Sequence, residues 1–379
     1  MDFLTQGLMR HGHEVKVLAV SSDKHPIRYD EMDAGYRKQT GIEGIHIDLS
    51  PKPLNAAVAL LTGDSYNVSR YVNRAFATRL AEILDEKTFD VVHVDSIYLA
   101  PYVPVIRQHS NAPIVMRAHN VEHMLWRQIA QTSHGGLRRW YMKHLALTLR
   151  AYETEHVNDF DGVACISDDD AEIFRSSGCR RPIATVPFGV DLPTTGSTEE
   201  QHGTLFHIGA MDWRPNIEGV NWFLDKVWPA VHTDMPQLRL CLAGRCMPSE
   251  LLEKRTEGVE VLGEVPDATE FMAAHQISVV PLLAGSGMRV KIAEAMALGK
   301  VVITTTVGAS GMHYENDRNI LIADTADEFA RQIRRCMEND DLCRRIGNEA
   351  RRLIEKEYTV DVAIGRLEEL YNKVIEAKQ

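Results

Sequence analysis

The chain has 379 residues, which suggests two or three domains at about 150 residues each. It carries 42 basic and 53 acidic side chains, so its formal net charge is −11, which argues against a nucleic-acid partner bound through a broad basic surface. No apolar run approaches the roughly 18–20 residues of a membrane span, and no secretory signal opens the chain. The sequence therefore predicts a cytoplasmic protein.

Short apolar segments alternate with helical patterns along the chain. After a helix over 3–10, the first series of predicted strands is Val15–Val20, Gly44–Leu49, Val91–Val94, Ile114–Arg117, Gly162–Ile166 and Ile183–Val186. The second series is Leu205–Ile208, Leu238–Ala243, Val259–Leu262, Ile277–Val280, Val301–Thr304 and Ile320–Ile322. Helical spacing of apolar residues recurs over Tyr66–Leu84, Ile217–Val231 and Phe329–Ile346. This alternation predicts an α/β fold with parallel sheets covered on both faces.

A polar stretch that contains proline and glycine separates the two series. We predict an N-terminal domain over 1–187, a linker over 188–203 and a C-terminal domain over 204–355. A helix over 356–379 is expected to pack back toward the N-terminal domain. The domains would be doubly wound, Rossmann-like sheets that face a cleft, with ligands beyond the carboxyl ends of the strands.

The segment 285–291 has the composition of an anion-binding turn. Its glycines lead from a strand into a helix, where backbone N–H groups and the helix dipole attract negative charge. Arg289 and Lys291 add two positive charges that the dipole disfavours unless an anion is bound. The alternative is a tight turn with two solvated cations. A second candidate is the loop 209–216, in which Arg214 either pairs with the same anion or packs on Trp213 at the surface.

Several segments resemble the bacterial branch of family 4 of the GT-B glycosyltransferases. The sequence RHGHEV at 10–15 resembles the step from the first helix to the second strand, and VPFGVD at 186–191 resembles the hinge. The sequence HIGAMDWRPN at 207–216 resembles the first strand and loop of the C-terminal domain. The most specific match is PLLAGSGMRVKIAEAMALG at 281–299, which resembles the nucleotide-sugar signature.

The resemblance implies a GT-B fold and a metal-independent hexosyltransferase that transfers a sugar with retention of anomeric configuration. The donor would be a nucleotide-diphosphate sugar, UDP favoured over GDP, with no cofactor. The acceptor would be a glycan or a lipid-linked molecule, in the synthesis of a cell-surface polysaccharide. The donor-binding residues that it implies are Gly209, Arg214, Ser286, Gly287, Met288, Arg289, Lys291 and Glu294.

His119 and Glu294 are the residues expected to be catalytic. The resemblance implies that His119 contacts the transferred sugar and that Glu294 binds the donor ribose, as the second glutamate of an E-x7-E pair whose first position here is Ser286. For His119 the alternatives are a core or capping histidine, or a metal pair with His123. For Glu294 the alternative is an ion pair with Lys291 or Lys300.

Two further segments have competing interpretations. Asp168–Asp170 resembles a metal-binding DxD motif, but three acids after Ser167 are typical of the first turn of a helix, which we favour. Residues 135–152 are basic and aromatic, which suits peripheral contact with the inner membrane surface or an ordinary solvated helix face.

The family's first strand and glycine loop have no counterpart here. Either the start codon used here lies downstream of the true one, or the N-terminal domain lacks the strand that we would expect beside Val15–Val20. One rival function is a catalytically crippled nucleotide-sugar-binding relative. A nucleotide-sugar epimerase is another, although no pair of acid/base carboxylates is evident for it. A nicotinamide dehydrogenase is less favoured because no G-x-G-x-x-G follows a strand.

Overall fold

The protein is described here by a computed structural model that covers residues 2–133, 135–193, 200–285 and 287–378. It consists of two compact units. The first combines Met1–Pro187 with Ile364–Gln379, and the second is Phe188–Ala363. The prediction of an α/β fold with parallel sheets is confirmed, because every paired strand in both units runs parallel to its neighbour.

The first unit contains the six strands of the first predicted series. They are β1 (Leu18–Ser21), β2 (Glu43–His46), β3 (Val92–Asp95), β4 (Ile114–Ala118), β5 (Gly162–Cys165) and β6 (Ile183–Thr185). In the described residues β1 pairs only with β2, whereas the other four form a separate sheet in the order β3-β4-β5-β6. Both β1 and β3 are therefore edge strands. The expectation that a family strand beside β1 is missing stays a prediction.

The helices of the first unit cover its sheets. They are α1 (Asp2–Arg10), α2 (Ala34–Thr40), α3 (Pro53–Thr62), α4 (Tyr66–Ser69), α5 (Arg74–Glu86), α6 (Val103–His109), α7 (Glu122–Thr132), α8 (Gly136–His156) and α9 (Asp168–Ser176). The single helix predicted over Tyr66–Leu84 is wrong. The chain leaves the helical path at Asn73, whose side chain accepts from the Phe76 N–H and caps α5.

The second unit is built on one six-stranded sheet. Its strands are β7 (Gln201–Ile208), β8 (Arg239–Ala243), β9 (Val259–Gly263), β10 (His275–Val280), β11 (Val301–Thr304) and β12 (Leu321–Ile322), in the order β12-β11-β10-β7-β8-β9. Successive residues of a strand face opposite sides. Leu205 accordingly packs in one buried apolar cluster and Phe206 in another. The sheet thus has a core on each face.

The helices of the second unit follow its strands. They are α10 (Arg214–Trp222), α11 (Trp228–Asp234), α12 (Ser249–Glu253), α13 (Ala268–Ala274), α14 (Val290–Ala297), α15 (Ala326–Met337) and α16 (Asp340–Glu357), and α17 (Val360–Glu376) then leads into the first unit. The pattern over Ile217–Val231 is helical throughout, with a π-helical turn at Phe223–Val227 between α10 and α11. The single helix predicted over Phe329–Ile346 is wrong, because Asn339 caps a new helix at that point.

Most of α17 belongs to the first unit. The Tyr371 hydroxyl lies 2.7 Å from His93 Nδ1 in β3, and Glu368 bonds both His11 and His13. A Cβ on Gly162 would lie 2.9 Å from Val374, so helix and strand touch closely.

None of the helices in the described ranges has the length and apolar character that a bilayer span requires.

Candidate functional site

Lys291 is a nearly buried cation at the carboxyl-end side of the second sheet. It is the second residue of α14, and its Nζ donates to Asn216 Oδ1 at 2.7 Å and lies 3.3 Å from His207 Nε2. Both partners are uncharged, and no carboxylate of the described residues bonds this ammonium. Burial, and then the charge of Arg289, lowers the pKa of Lys291 to about 7. A buried cation without a counter-charge is a ready site for an anion.

Gly209 makes room for this arrangement. It follows the last residue of β7, and a Cβ there would lie 2.6 Å from Lys291 Nζ and 2.9 Å from Asn216 Nδ2. Asn216 is itself fixed, because its Nδ2 donates to the Ala210 carbonyl at 2.7 Å. The end of β7 and the start of α10 therefore hold the lysine from one side, and any side chain at position 209 would displace it.

Arg289 packs against an aromatic ring next to Lys291. Its guanidinium carbon lies 4.9 Å from the centre of the Trp213 ring, within the range of a cation–π interaction. Burial lowers the pKa of Arg289. A Cβ on Gly285 would lie 2.3 Å from Arg289 Nη2 and 3.3 Å from the same ring. The stack on Trp213, which the sequence suggested for Arg214, thus involves Arg289.

The glycine-rich turn brings backbone amides to the start of α14. Gly287 has φ 78°, a left-handed conformation that favours glycine, and the Met288 amide follows it directly. A Cβ on Gly311 would lie 2.7 Å from the Met288 nitrogen, so a second loop backs this turn. Ser286, which the sequence placed in the same turn, lies outside the described residues.

Glu294 lies one turn further along α14 and is half-buried. Burial raises the pKa of its carboxyl group. The ion pairs considered as alternatives are not formed in the described residues, because Lys291 bonds Asn216 and Lys300 bonds Glu200 and the Ala273 carbonyl. The carboxylate is therefore available to a ligand.

Arg214 lies at the exposed start of α10. Its side chain is 75% exposed, and Nε donates to Glu218 Oε1 at 2.6 Å in an i,i+4 pair. Solvent screens such a pair, so little energy is lost if the guanidinium turns to a ligand. The structure brings Gly209, Lys291 and Asn216 into contact but leaves Arg214 in a separate surface pair, and its donor-binding role stays a prediction.

In the first unit, His119 directly follows β4 and pairs with Asp95 at the end of β3. Its Nε2 lies 2.6 Å from Asp95 Oδ1, and the imidazole is 37% exposed. Burial works to raise the pKa of Asp95, but the hydrogen bond and charge of His119 hold it below its usual value. Because a carboxylate only accepts, Nε2 carries a proton, and Nδ1 has no partner among the described residues. His119 is thus oriented by Asp95 and partly open to solvent.

The metal-site alternatives use residues that have other partners here. His123 is buried, and its Nδ1 lies 2.7 Å from Glu153, which also accepts from the Glu122 and His123 N–H groups. Ser167 caps α9, so Asp168–Asp170 lies in the first turn of that helix. The favoured interpretation of Asp168–Asp170 as a helix start is confirmed.

Sequence reasoning missed three side chains of these sites. Asn216 lay inside the segment 209–216 but received no role, and His207 and Asp95 were not considered. A signal existed for His207, which is the one polar residue of the predicted strand Leu205–Ile208, and for Asp95, which directly follows the predicted strand Val91–Val94. Such residues require a partner when buried.

Three comparisons with known proteins bear on these sites. A family model described as Glycosyltransferase Family 4 matches residues 2–193, just over half of the chain, and one described as Glycosyl transferases group 1 matches residues 202–339. A curated relative, an uncharacterized 44.6 kDa protein in the cps region of Klebsiella pneumoniae, is 25% identical over 294 residues, which is 74% of each chain.

Solved structures also resemble this chain. Sucrose-phosphate synthase from Thermosynechococcus elongatus superposes with a TM-score of 0.65 at 18% identity over 99% of this chain and 92% of its own. Anabaena HepE in complex with UDP gives a TM-score of 0.64 at 16% identity over 95% and 100%. These likenesses confirm the GT-B fold with two Rossmann-like domains. Together with the family models, they show that the chain belongs to glycosyltransferase family 4.

Proposed function

We propose that this protein is a retaining hexosyltransferase that takes its sugar from a UDP-sugar and needs no divalent metal. The observation that carries the proposal is Lys291, a largely buried ammonium with two uncharged partners. The donor diphosphate would supply its counter-charge, assisted by Arg289 and the amides of Gly287 and Met288. These groups would stabilise the leaving diphosphate, the role that a metal has in other enzymes.

The remaining roles follow from position. Glu294, at the half-buried face of α14, would accept hydrogen bonds from the donor ribose. His119, oriented by Asp95, would contact the transferred sugar. UDP is favoured because HepE, which shares the fold, was solved with it. The relative from a cps region supports a glycan or lipid-linked acceptor and a role in surface polysaccharide synthesis.

Isothermal titration with UDP in excess chelator tests this proposal. We expect binding to persist, to be tighter than that of GDP, and to precede transfer of labelled sugar to membrane glycolipids with the anomeric configuration retained. Loss of UDP binding on chelation would contradict the metal-free assignment. Binding without turnover would favour the crippled relative, and inversion of a sugar hydroxyl without acceptor would favour the epimerase.

Glu294→Gln should weaken UDP binding by about ten- to a hundredfold, because a hydrogen bond to a charged group contributes roughly 1.5–3 kcal/mol. The melting temperature should change little, since the carboxylate has no bonded partner to lose among the residues that the structure describes. Glu250→Gln, an exposed change in α12 of the same unit, is the matched control and should bind UDP as the parent does. An unchanged dissociation constant for Glu294→Gln would remove Glu294 from the donor site.

We also propose that α3 and α8 rest on an anionic membrane surface where lipid-linked acceptors lie. The two helices share a small buried cluster that includes Ala59 and Leu145. Large apolar side chains remain exposed on both, namely Leu54, Val58 and Leu61 on α3 and Leu137, Trp140 and Leu147 on α8. Exposed basic residues of α8 accompany them, namely Arg138, Arg139, Lys143 and Arg150. Apolar and basic groups together are typical of interfacial helices.

Flotation with phosphatidylglycerol vesicles tests this surface. The parent should float with them and not with neutral phosphatidylcholine vesicles, and the Leu137→Ser, Trp140→Ser double variant should stay at the bottom. Leu252→Ser, which removes a 45% exposed leucine of the second unit, is the control and should float normally. Equal recovery of parent and double variant would show that these helices do not meet the membrane.

A further inference from the structure

His207 is a buried histidine in the middle of the second sheet. It lies on β7, between β10 and β8, and is 1% exposed. Its Nδ1 is 2.8 Å from the Val279 carbonyl of β10. A carbonyl only accepts, so Nδ1 carries the proton of the ring. Burial, and then the charge of Lys291, holds the pKa of His207 well below its usual value. The imidazole is therefore neutral, and Nε2 is an acceptor.

That acceptor faces Lys291. An ammonium has three hydrogens. One is donated to Asn216 Oδ1 at 2.7 Å, and a second points toward His207 Nε2 at 3.3 Å. No other acceptor of the described residues bonds Nζ, so the third hydrogen remains for a ligand. The Val279 carbonyl thus fixes the tautomer of His207, and the tautomer fixes the direction of the lysine.

We propose that His207 is a positioning residue that orients Lys291 toward the donor diphosphate, and that Lys291 takes up a proton when the diphosphate binds. The second half of this statement rests on the proposed function. The charged group that acts on Lys291 is Arg289, which precedes α14. His207 on β7 is neutral, Glu294 lies one turn further along α14 without a bond to Lys291, and Glu218 on α10 is paired with Arg214. Arg289 opposes the protonation of Lys291 in the free protein, and the incoming phosphates reverse that balance.

The proton balance has a direct readout. In the free protein the pKa of Lys291 is about 7, so the amine is mostly neutral at pH 8.5. UDP is fully ionised at that pH, because a phosphate loses its second proton near pH 6. Titration at pH 8.5 in two buffers of different ionisation enthalpy should show uptake of close to one proton, and affinity should fall about tenfold per pH unit above pH 7.5. Lys291→Met should show neither effect.

Two substitutions separate positioning from packing. His207→Phe keeps the ring volume but removes the acceptor, so we expect roughly tenfold weaker binding of UDP and of inorganic pyrophosphate at pH 7.5. This loss should be smaller at pH 6, because the hydrogen bond to His207 Nε2 also stabilises the protonated form of Lys291, and at pH 6 the lysine is mostly protonated even without that bond. His207→Gln keeps an acceptor and should bind within a few-fold of the parent.

Three results would overturn the inference. One is an equal loss of binding at pH 6 and 7.5 in His207→Phe, which would mean a purely structural role. Another is UDP binding by the parent at pH 8.5 without proton uptake, which leaves the proposed function intact. The third is absence of UDP and pyrophosphate binding to the folded parent at any pH, which would overturn the proposed function as well.

Discussion

Lys291→Met should reduce UDP affinity by at least about thirtyfold and yet make the ligand-free protein more stable. Losing one member of a buried charge pair costs about 2–5 kcal/mol in binding. In the absence of ligand the protonated side chain is a largely buried cation whose pKa folding lowers to about 7, so its replacement by an apolar side chain should raise the melting temperature of the free protein. Thermal melts with and without UDP measure both effects.

The stability difference should depend on pH in a defined direction. Folding lowers the pKa of Lys291 from its usual value near 10.5 to about 7. Between these values the unfolded chain binds more protons than the folded one, so the stability of the parent rises with pH. The advantage of Lys291→Met should be largest below pH 7 and should shrink toward pH 10.5. Lys226→Met, an exposed change in the same unit, should alter neither stability nor affinity. An advantage that does not change with pH would mean that Lys291 is not a titrating buried cation.

Gly244→Ala should destabilise the second unit by at least about 3 kcal/mol, the upper end of the cost of overpacking. Gly244 has φ 150°, and a Cβ there would lie 1.8 Å from the carbonyl oxygen of Gly209. That carbonyl belongs to the backbone, so the end of β7 must move, and with it the support of Lys291 and Asn216. We expect a lower melting temperature and loss of UDP binding.

Gly365→Ala is the matched control, because it makes the same substitution within α17 where nothing lies within 4 Å of the added Cβ. A helical glycine replaced by alanine should gain about 0.4–1 kcal/mol. If Gly244→Ala melts at the temperature of the parent, the close approach of β7 and β8 at this point is not a constraint.

The apolar pattern of the sequence predicted the positions of the strands well, but it did not predict where one helix ends and the next begins. Each predicted strand lies on or overlaps an observed one, because apolar segments buried on both faces leave a continuous hydrophobic signal. The breaks at Asn73 and Asn339 were missed because apolar spacing continues across them, and only the capping side chain ends one helix and starts the next. An asparagine just before each new helix was the available signal, but the continuing apolar spacing favoured the prediction of a single helix.

The candidate site shows the limit of sequence reasoning more clearly. Gly287, Arg289 and Lys291 are close in sequence, so the turn could be predicted as an anion site. The partners of Lys291 lie 75 and 84 positions away, at Asn216 and His207. The same holds for Asp95, which is 24 positions before His119. Such pairs depend on which strands become neighbours, and local pattern carries no information about them.

The path of the chain sets the order in which the molecule can be built. The second unit is a continuous insertion between the two parts of the first. A ribosome therefore releases the whole second unit before residues 364–376 of α17, which include Tyr371 and Glu368, the partners of His93 and of the histidines after α1. Because domains fold during synthesis as their residues emerge, the second unit can reach its native state before the last helix of the first unit has been synthesised. Synthesis thus finishes the second unit first, and a nascent chain that stalls just after Ala363 would carry a folded second unit and an incomplete first one.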